Sequence, residues 1–154
     1  MGLENHDIII FLMTAATIAK KIIECFKRGN KVLIFGNGGS LTDASHFAAE
    51  FHGIGPVIAL NDPAKITSIG NDSDFSQVFA RQVADVGKKG DVAIGLSSSG
   101  NSVNVIWALG QAEDIEMVAI DFPRKGKNTQ EVQNYQYRLL HEIYRLVKEE
   151  FTSA

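Results

Sequence analysis

The stretch covering residues 35–50, FGNGGSLTDASHFAAE, constrains this chain more than any other. An apolar run, Val32-Leu33-Ile34-Phe35, enters it with the pattern of a buried strand. Gly36-Asn37-Gly38-Gly39-Ser40 and then a helical pattern follow, so the order is strand, glycine turn, helix. That order gathers unpaired backbone N–H groups and the positive end of a helix dipole at one point, which suits an anion. Gly38 and Gly39 let a ligand approach the backbone where a Cβ would block it. Ser40 is expected to cap the helix, with Asp43 at the capping-box position. His46 and Glu50 stand at i and i+4 and project from one face. The pattern suits a site that holds a phosphate and moves protons nearby.

The flanking chain alternates helical and apolar segments. Residues 8–26 read as a helix, ended by Arg28-Gly29-Asn30. Its first residues, Ile8-Ile9-Ile10-Phe11-Leu12-Met13, are read as the start of a buried helix. Acidic Glu4 and Asp7 precede them, against a signal peptide, and so short a run does not span a bilayer. Residues 57–60 form a second strand, and Asn61-Asp62-Pro63 opens a short helix that Gly70-Asn71-Asp72 breaks. A helix is expected over 75–86, a third strand over 92–96 and a helix over 103–112. A fourth strand over 117–120, a basic loop over 123–128 and a long helix over 129–151 complete the chain. Nearly all-apolar strands alternating with helices indicate an α/β fold, a parallel sheet covered on both faces.

At 154 residues, 45% hydrophobic and 21% charged, the chain reads as one globular domain over 1–154 without internal repeats. A net charge of −3 argues against nucleic acid or an anionic membrane as partner. Cys25 is the lone cysteine, which precludes an intrachain disulfide and fits a reducing cytoplasm.

Further polar residues cluster where chemistry is expected. Ser97, Ser98, Ser99 and Ser102 lie between the third strand and its helix, where hydroxyls and amides suit phosphate. A polar turn is the plainer reading of that loop alone. Two such loops at the carboxyl ends of parallel strands would share the ligand-binding face of an open sheet. A dinucleotide site fits poorly, since Leu41 occupies the third position of G-x-G-x-x-G, which disfavours a nicotinamide dehydrogenase. His46 and Glu50 together are candidates for a base or for metal ligands. On the last helix Gln133, Tyr137 and His141 recur at i, i+4 and i+8, a loose stripe that an ordinary amphipathic helix also produces.

Taken in order, GNGGSLTDASHFAAEF, SIGNDSDFSQVFARQV and SSSGNSVNV resemble the sugar isomerase (SIS) domain family, and within it the bacterial phosphoheptose isomerases. The resemblance implies a flavodoxin-like SIS fold, here trimmed to four main strands with flanking helices. It implies conversion of sedoheptulose 7-phosphate to D-glycero-D-manno-heptose 7-phosphate through an enediol, for heptose and surface-glycan biosynthesis. By position, Asn37, Gly38, Gly39 and Ser40 match the first substrate loop, Asn71 and Asp72 the sugar-lining pair, and Ser97, Ser98, Ser99 and Ser102 the phosphate loop. Glu50 matches the catalytic glutamate. Aligning Gln133 with the family's glutamine places His141 on its histidine, so Glu50 and His141 become the implied catalytic pair. His46, Glu50, Gln133 and His141 become the implied zinc ligands, with Glu50 and Gln133 also touching substrate.

The chain departs from that pattern in several places. The connections near Gly53 to Pro56 and at residues 122–128 are short, Gln136 replaces a frequent second histidine, Ile54 a frequent arginine and Gln130 a common acidic residue. The alternative is a non-catalytic SIS module that binds a sugar phosphate or a protein such as a replication initiator. The family also implies a homotetramer. Two apolar stripes on the last helix (Val132, Tyr135, Leu139, Ile143 and Leu146; Leu140, Tyr144, Val147 and Phe151), with the apolar start of the first helix, suggest a helical bundle between subunits.

Overall fold

The structure is a computed structural model that describes residues 4–152. The elements are α1 (Asn5–Lys27), β1 (Val32–Gly36), α2 (Gly39–Glu50), β2 (Val57–Ala59), α3 (Pro63–Asp72), a 3-10 turn (Phe75–Gln77), α4 (Ala80–Val86), β3 (Val92–Leu96), α5 (Val103–Asp114), β4 (Val118–Asp121) and α6 (Thr129–Thr152). The strands pair in parallel in the order β2-β1-β3-β4, the flavodoxin-like arrangement with four strands. From β1 the chain crosses through α2 to one side, and from β3 through α5 to the other. Right-handed crossovers running in opposite directions put α2 and α5 on opposite faces. They leave a crevice at the carboxyl ends of β1 and β3, whose last residues, Gly36 and Leu96, lie side by side.

Alternation along the strands divides the core. Val32, Ile34, Val92, Ile94 and Leu96 pack with α1, α2 and α6. Leu33, Phe35 and Ala93 pack with α4 and α5. Burial on both faces is why β1 and β3 carry no polar residue at all. At the amino ends of these strands, Asp91 accepts bonds from Lys31 Nζ (2.6 Å), Asn30 Nδ2 (2.8 Å) and the backbone N–H groups of Lys31 and Lys88. Burial pushes its carboxyl up, but these bonds outweigh that and hold its pKa below the usual value.

Several local expectations change. Helix α3 runs through Gly70-Asn71-Asp72 instead of breaking there, started by Asp62, whose carboxylate accepts from Ala64 N–H at 2.8 Å. The helix expected over 75–86 is a 3-10 turn followed by α4, because Asp74 caps Ser76 and starts a separate turn. The apolar start of α1 is not buried: Ile8, Ile9, Ile10, Leu12 and Met13 are 40–65% exposed. No described helix is long and apolar enough to cross a membrane.

Helix α6 behaves differently from the two-stripe expectation. It sits between α1 and α2 and uses both stripes within its own chain. Tyr135 meets Phe11 edge-on at 5.8 Å, and Tyr144 meets Phe51 at 5.3 Å. Leu140 is 3% exposed and Val147 fully buried. Leu140→Asp is therefore expected to unfold the chain, not to dissociate subunits, by placing a carboxylate in that core at a cost of about 3–5 kcal/mol. Thermal melting checks this; a folded variant with an unchanged melting temperature would contradict the packing described.

Candidate functional site

Two loops meet at the crevice. Gly36 ends β1 so close to its neighbours that a Cβ would lie 2.7 Å from the Leu96 carbonyl and 2.8 Å from Ser40 Cβ. Gly38, at φ +56°, precedes α2 as its cap. The expected capping box is absent: Ser40 is buried inside the first turn, and no side chain caps α2. No side chain accepts from the first turn of α2; the Ser40 and Leu41 amides donate to the Asn37 and Gly38 carbonyls at 3.0 Å, which leaves the Gly39 amide for an anion. Across the crevice, Asn37 and Asn104 exchange amide bonds of 2.8 and 2.9 Å and tie the two loops together. Asn104 was not singled out from the sequence; its only signal is a polar residue inside the first turn of an apolar helix.

In the second loop Ser97 Oγ accepts from Gly100 N–H at 3.0 Å and donates to Ser102 Oγ at 3.2 Å. Ser99 Oγ accepts from Asn101 N–H at 3.1 Å. Ser98 is half-buried between them. Ser102 caps α5 by position but makes no side-chain cap bond, so this helix also presents open first-turn amides. The structure thus brings Asn37, Gly38, Gly39 and Ser40 alongside Ser97, Ser98, Ser99 and Ser102. Asn71 and Asp72 belong to neither loop. Both are exposed at the end of α3, joined to each other at 3.2 Å, with no side-chain bond to either loop among the described residues.

A second cluster lies farther along α2, where α6 runs beside it. His46 Nε2 stands 2.6 Å from Glu50 Oε1, and His141 Nδ1 stands 3.8 Å from the same oxygen. Tyr137 packs edge-on against His141 at 4.5 Å. The side chains of His46 and His141 are 52% and 43% exposed, against 24% for Glu50. The space enclosed between the two helices is only about 10 Å³, whereas an open cleft of about 520 Å³ beside it is lined by Glu50, His141 and Tyr144. Gln133 sits nearer the start of α2, against Gly39, and donates to Asp43 at 3.5 Å. Burial pushes the Asp43 carboxyl up, while the Gln133 bond and the nearby His46 oppose that.

One donor atom each from His46, Glu50 and His141 lies within 4.8 Å of the others, so the three side chains converge as ligands must. Two imidazole nitrogens and one carboxylate form a recognised zinc donor set that leaves a coordination position open. The side chains fit a metal ion. Gln136, at the position of the expected second histidine, is buried and donates to the carbonyls of Phe122 and Pro123 at 3.3 and 3.2 Å. Its role is to hold the β4–α6 connection.

The SIS domain family model matches residues 13–122. The phosphoheptose isomerase of Desulfovibrio desulfuricans is 47% identical over 70% of this chain, and the aligned region spans 55% of that protein. Phosphoheptose isomerase 1 of Campylobacter jejuni is 34% identical, with 88% of this chain and 86% of that protein covered. The structure of phosphoheptose isomerase GmhA from Neisseria gonorrhoeae superposes with a TM-score of 0.86 at 32% identity, covering 89% of this chain and 86% of that one.

Proposed function

This chain belongs to the SIS domain family, and from that premise we propose that residues 1–154 act as one phosphosugar isomerase domain. The substrate is sedoheptulose 7-phosphate, the product D-glycero-D-manno-heptose 7-phosphate, and the sequel heptose and surface-glycan synthesis. The observation that carries this reading is the meeting of His141, on α6, with Glu50, on α2. Helical rise separates Ser40 from His46 by about 9 Å and from Glu50 by about 15 Å along the α2 axis. A sugar whose phosphate and reacting carbons lie at opposite ends suits that span.

In the proposed mechanism the serine loop and the start of α2 hold the phosphate, with Asn37, Gly38, Gly39 and Ser40 lining the first loop. Gln133, Asn71 and Asp72 contact the sugar. Glu50 takes a proton from C1 and returns it to C2, and His141 moves the proton between O1 and O2 through the enediol. His46, Glu50, Gln133 and His141 would hold zinc, which when bound would polarise the sugar oxygens as a Lewis acid, with Glu50 changing from ligand to base during turnover. Cys25, whose buried thiol is pushed up to about 11, suits a reducing cytoplasm.

Calorimetric titration tests the substrate class. Sedoheptulose 7-phosphate is expected to bind tightly and a three-carbon sugar phosphate weakly. Equal affinities would remove the argument from span. The exposed apolar start of α1 supports a homo-oligomer, a tetramer by family, built on this helix. Light scattering of Ile9→Asp with Met13→Asp is expected to show smaller particles than wild type, with folding retained because both side chains are exposed; unchanged particle mass would exclude α1 from the interface.

A further inference from the structure

We propose that Arg124 is a further phosphate-binding residue of the serine loop, an inference that rests on reading Ser97, Ser98, Ser99 and Ser102 as that loop. Arg124 belongs to the short basic connection between β4 and α6. Its guanidinium lies against Gly100, where an added Cβ would come 3.0 Å from Nε and 3.3 Å from Nη2. Gly100 has φ +75°, so both its backbone and the space beside it favour glycine. The loop itself, from Ser97 to Ser102, carries no charge, whereas a sugar phosphate brings about −1.5 to −2 at neutral pH. Open amides and hydroxyls bind such a group better with a cation beside them.

Arg124 is fixed for this role. Nη1 and Nη2 donate to Asp121 Oδ1 and Oδ2 at 2.7 and 2.9 Å. Asp121 pairs in register with Gly95, one residue before the end of β3. Two of the five guanidinium N–H groups are thus spent on positioning, and three remain, including Nε–H on the Gly100 side. A side chain already held in place loses little freedom when its ligand arrives. Lys125, the next cation, is drawn away to Asp7 on α1 at 2.7 Å.

The test is calorimetry and kinetics on wild type, Arg124→Ala and Arg124→Lys, with sedoheptulose 7-phosphate and unphosphorylated sedoheptulose as probes. Arg124→Ala is expected to weaken sedoheptulose 7-phosphate binding about tenfold or more and to raise KM with little change in kcat. Arg124→Lys, which keeps the charge without the fork, is expected to recover part of the loss. Binding of the unphosphorylated sugar is expected to be unaffected in both. Unchanged phosphate affinity in Arg124→Ala overturns the proposal. So does a loss that extends to the unphosphorylated sugar, or one that tracks a lower melting temperature and is not recovered by Lys. Wild type that binds sedoheptulose 7-phosphate no better than sedoheptulose removes the phosphate-loop reading itself, and this inference with it.

Discussion

Glu50→Gln is expected to lower turnover of sedoheptulose 7-phosphate by about a thousandfold, within the range a positioned general base supplies. Sugar-phosphate affinity is expected to stay within about threefold of wild type, because the proposed phosphate contacts lie at the other end of α2. The change is nearly isosteric and falls on a half-buried side chain, so it tests proton transfer more than folding. The carboxylate, one of whose oxygens approaches both His46 and His141, becomes a neutral amide that cannot accept a proton as a base. Steady-state kinetics beside calorimetry separate the two effects. Near-normal turnover would remove Glu50 from the chemistry, and equal loss of binding and turnover would make it a binding residue.

Chelation is expected to reduce activity by about a hundredfold or more, since Lewis-acid polarisation supplies several kcal/mol of transition-state stabilisation. Added zinc should restore it, and His46→Ala should lose both metal content and activity. The fit of the site to metal comes from three converging donors on two helices. Elemental analysis alongside the assay decides the matter. Full activity in demonstrably metal-free protein would leave His46 and His141 with roles in proton transfer and substrate binding alone.

The sheet was legible because its strands are buried on both faces and so nearly free of polar residues. The glycine turn and the serine loop were legible as strand-to-helix junctions. The i, i+4 and i, i+4, i+8 spacings put His46 with Glu50 and Gln133 with Tyr137 and His141 on single faces, and parallel packing of α2 and α6 turns those faces toward each other. What escaped depends on contacts distant in sequence. The amide exchange between Asn37 and Asn104 requires two loops to be neighbours. Arg124 over Gly100 requires the end of β4 beside that of β3. Apolar periodicity on α6 showed two stripes but not that both would pack within the same chain, since hydrophobicity alone does not name its partner. The same blindness made the start of α1 look buried when its apolar side chains face outward.

This chain is expected to isomerise a seven-carbon sugar phosphate. Purified zinc-loaded protein incubated with sedoheptulose 7-phosphate, followed by proton NMR at the anomeric position, tests it most directly. The expected result is the appearance of aldose anomeric signals that grow to a constant ketose-to-aldose ratio and are absent with Glu50→Gln. Tight binding of the sugar phosphate with no aldose formed would contradict the claim and leave a binding module in place of an enzyme.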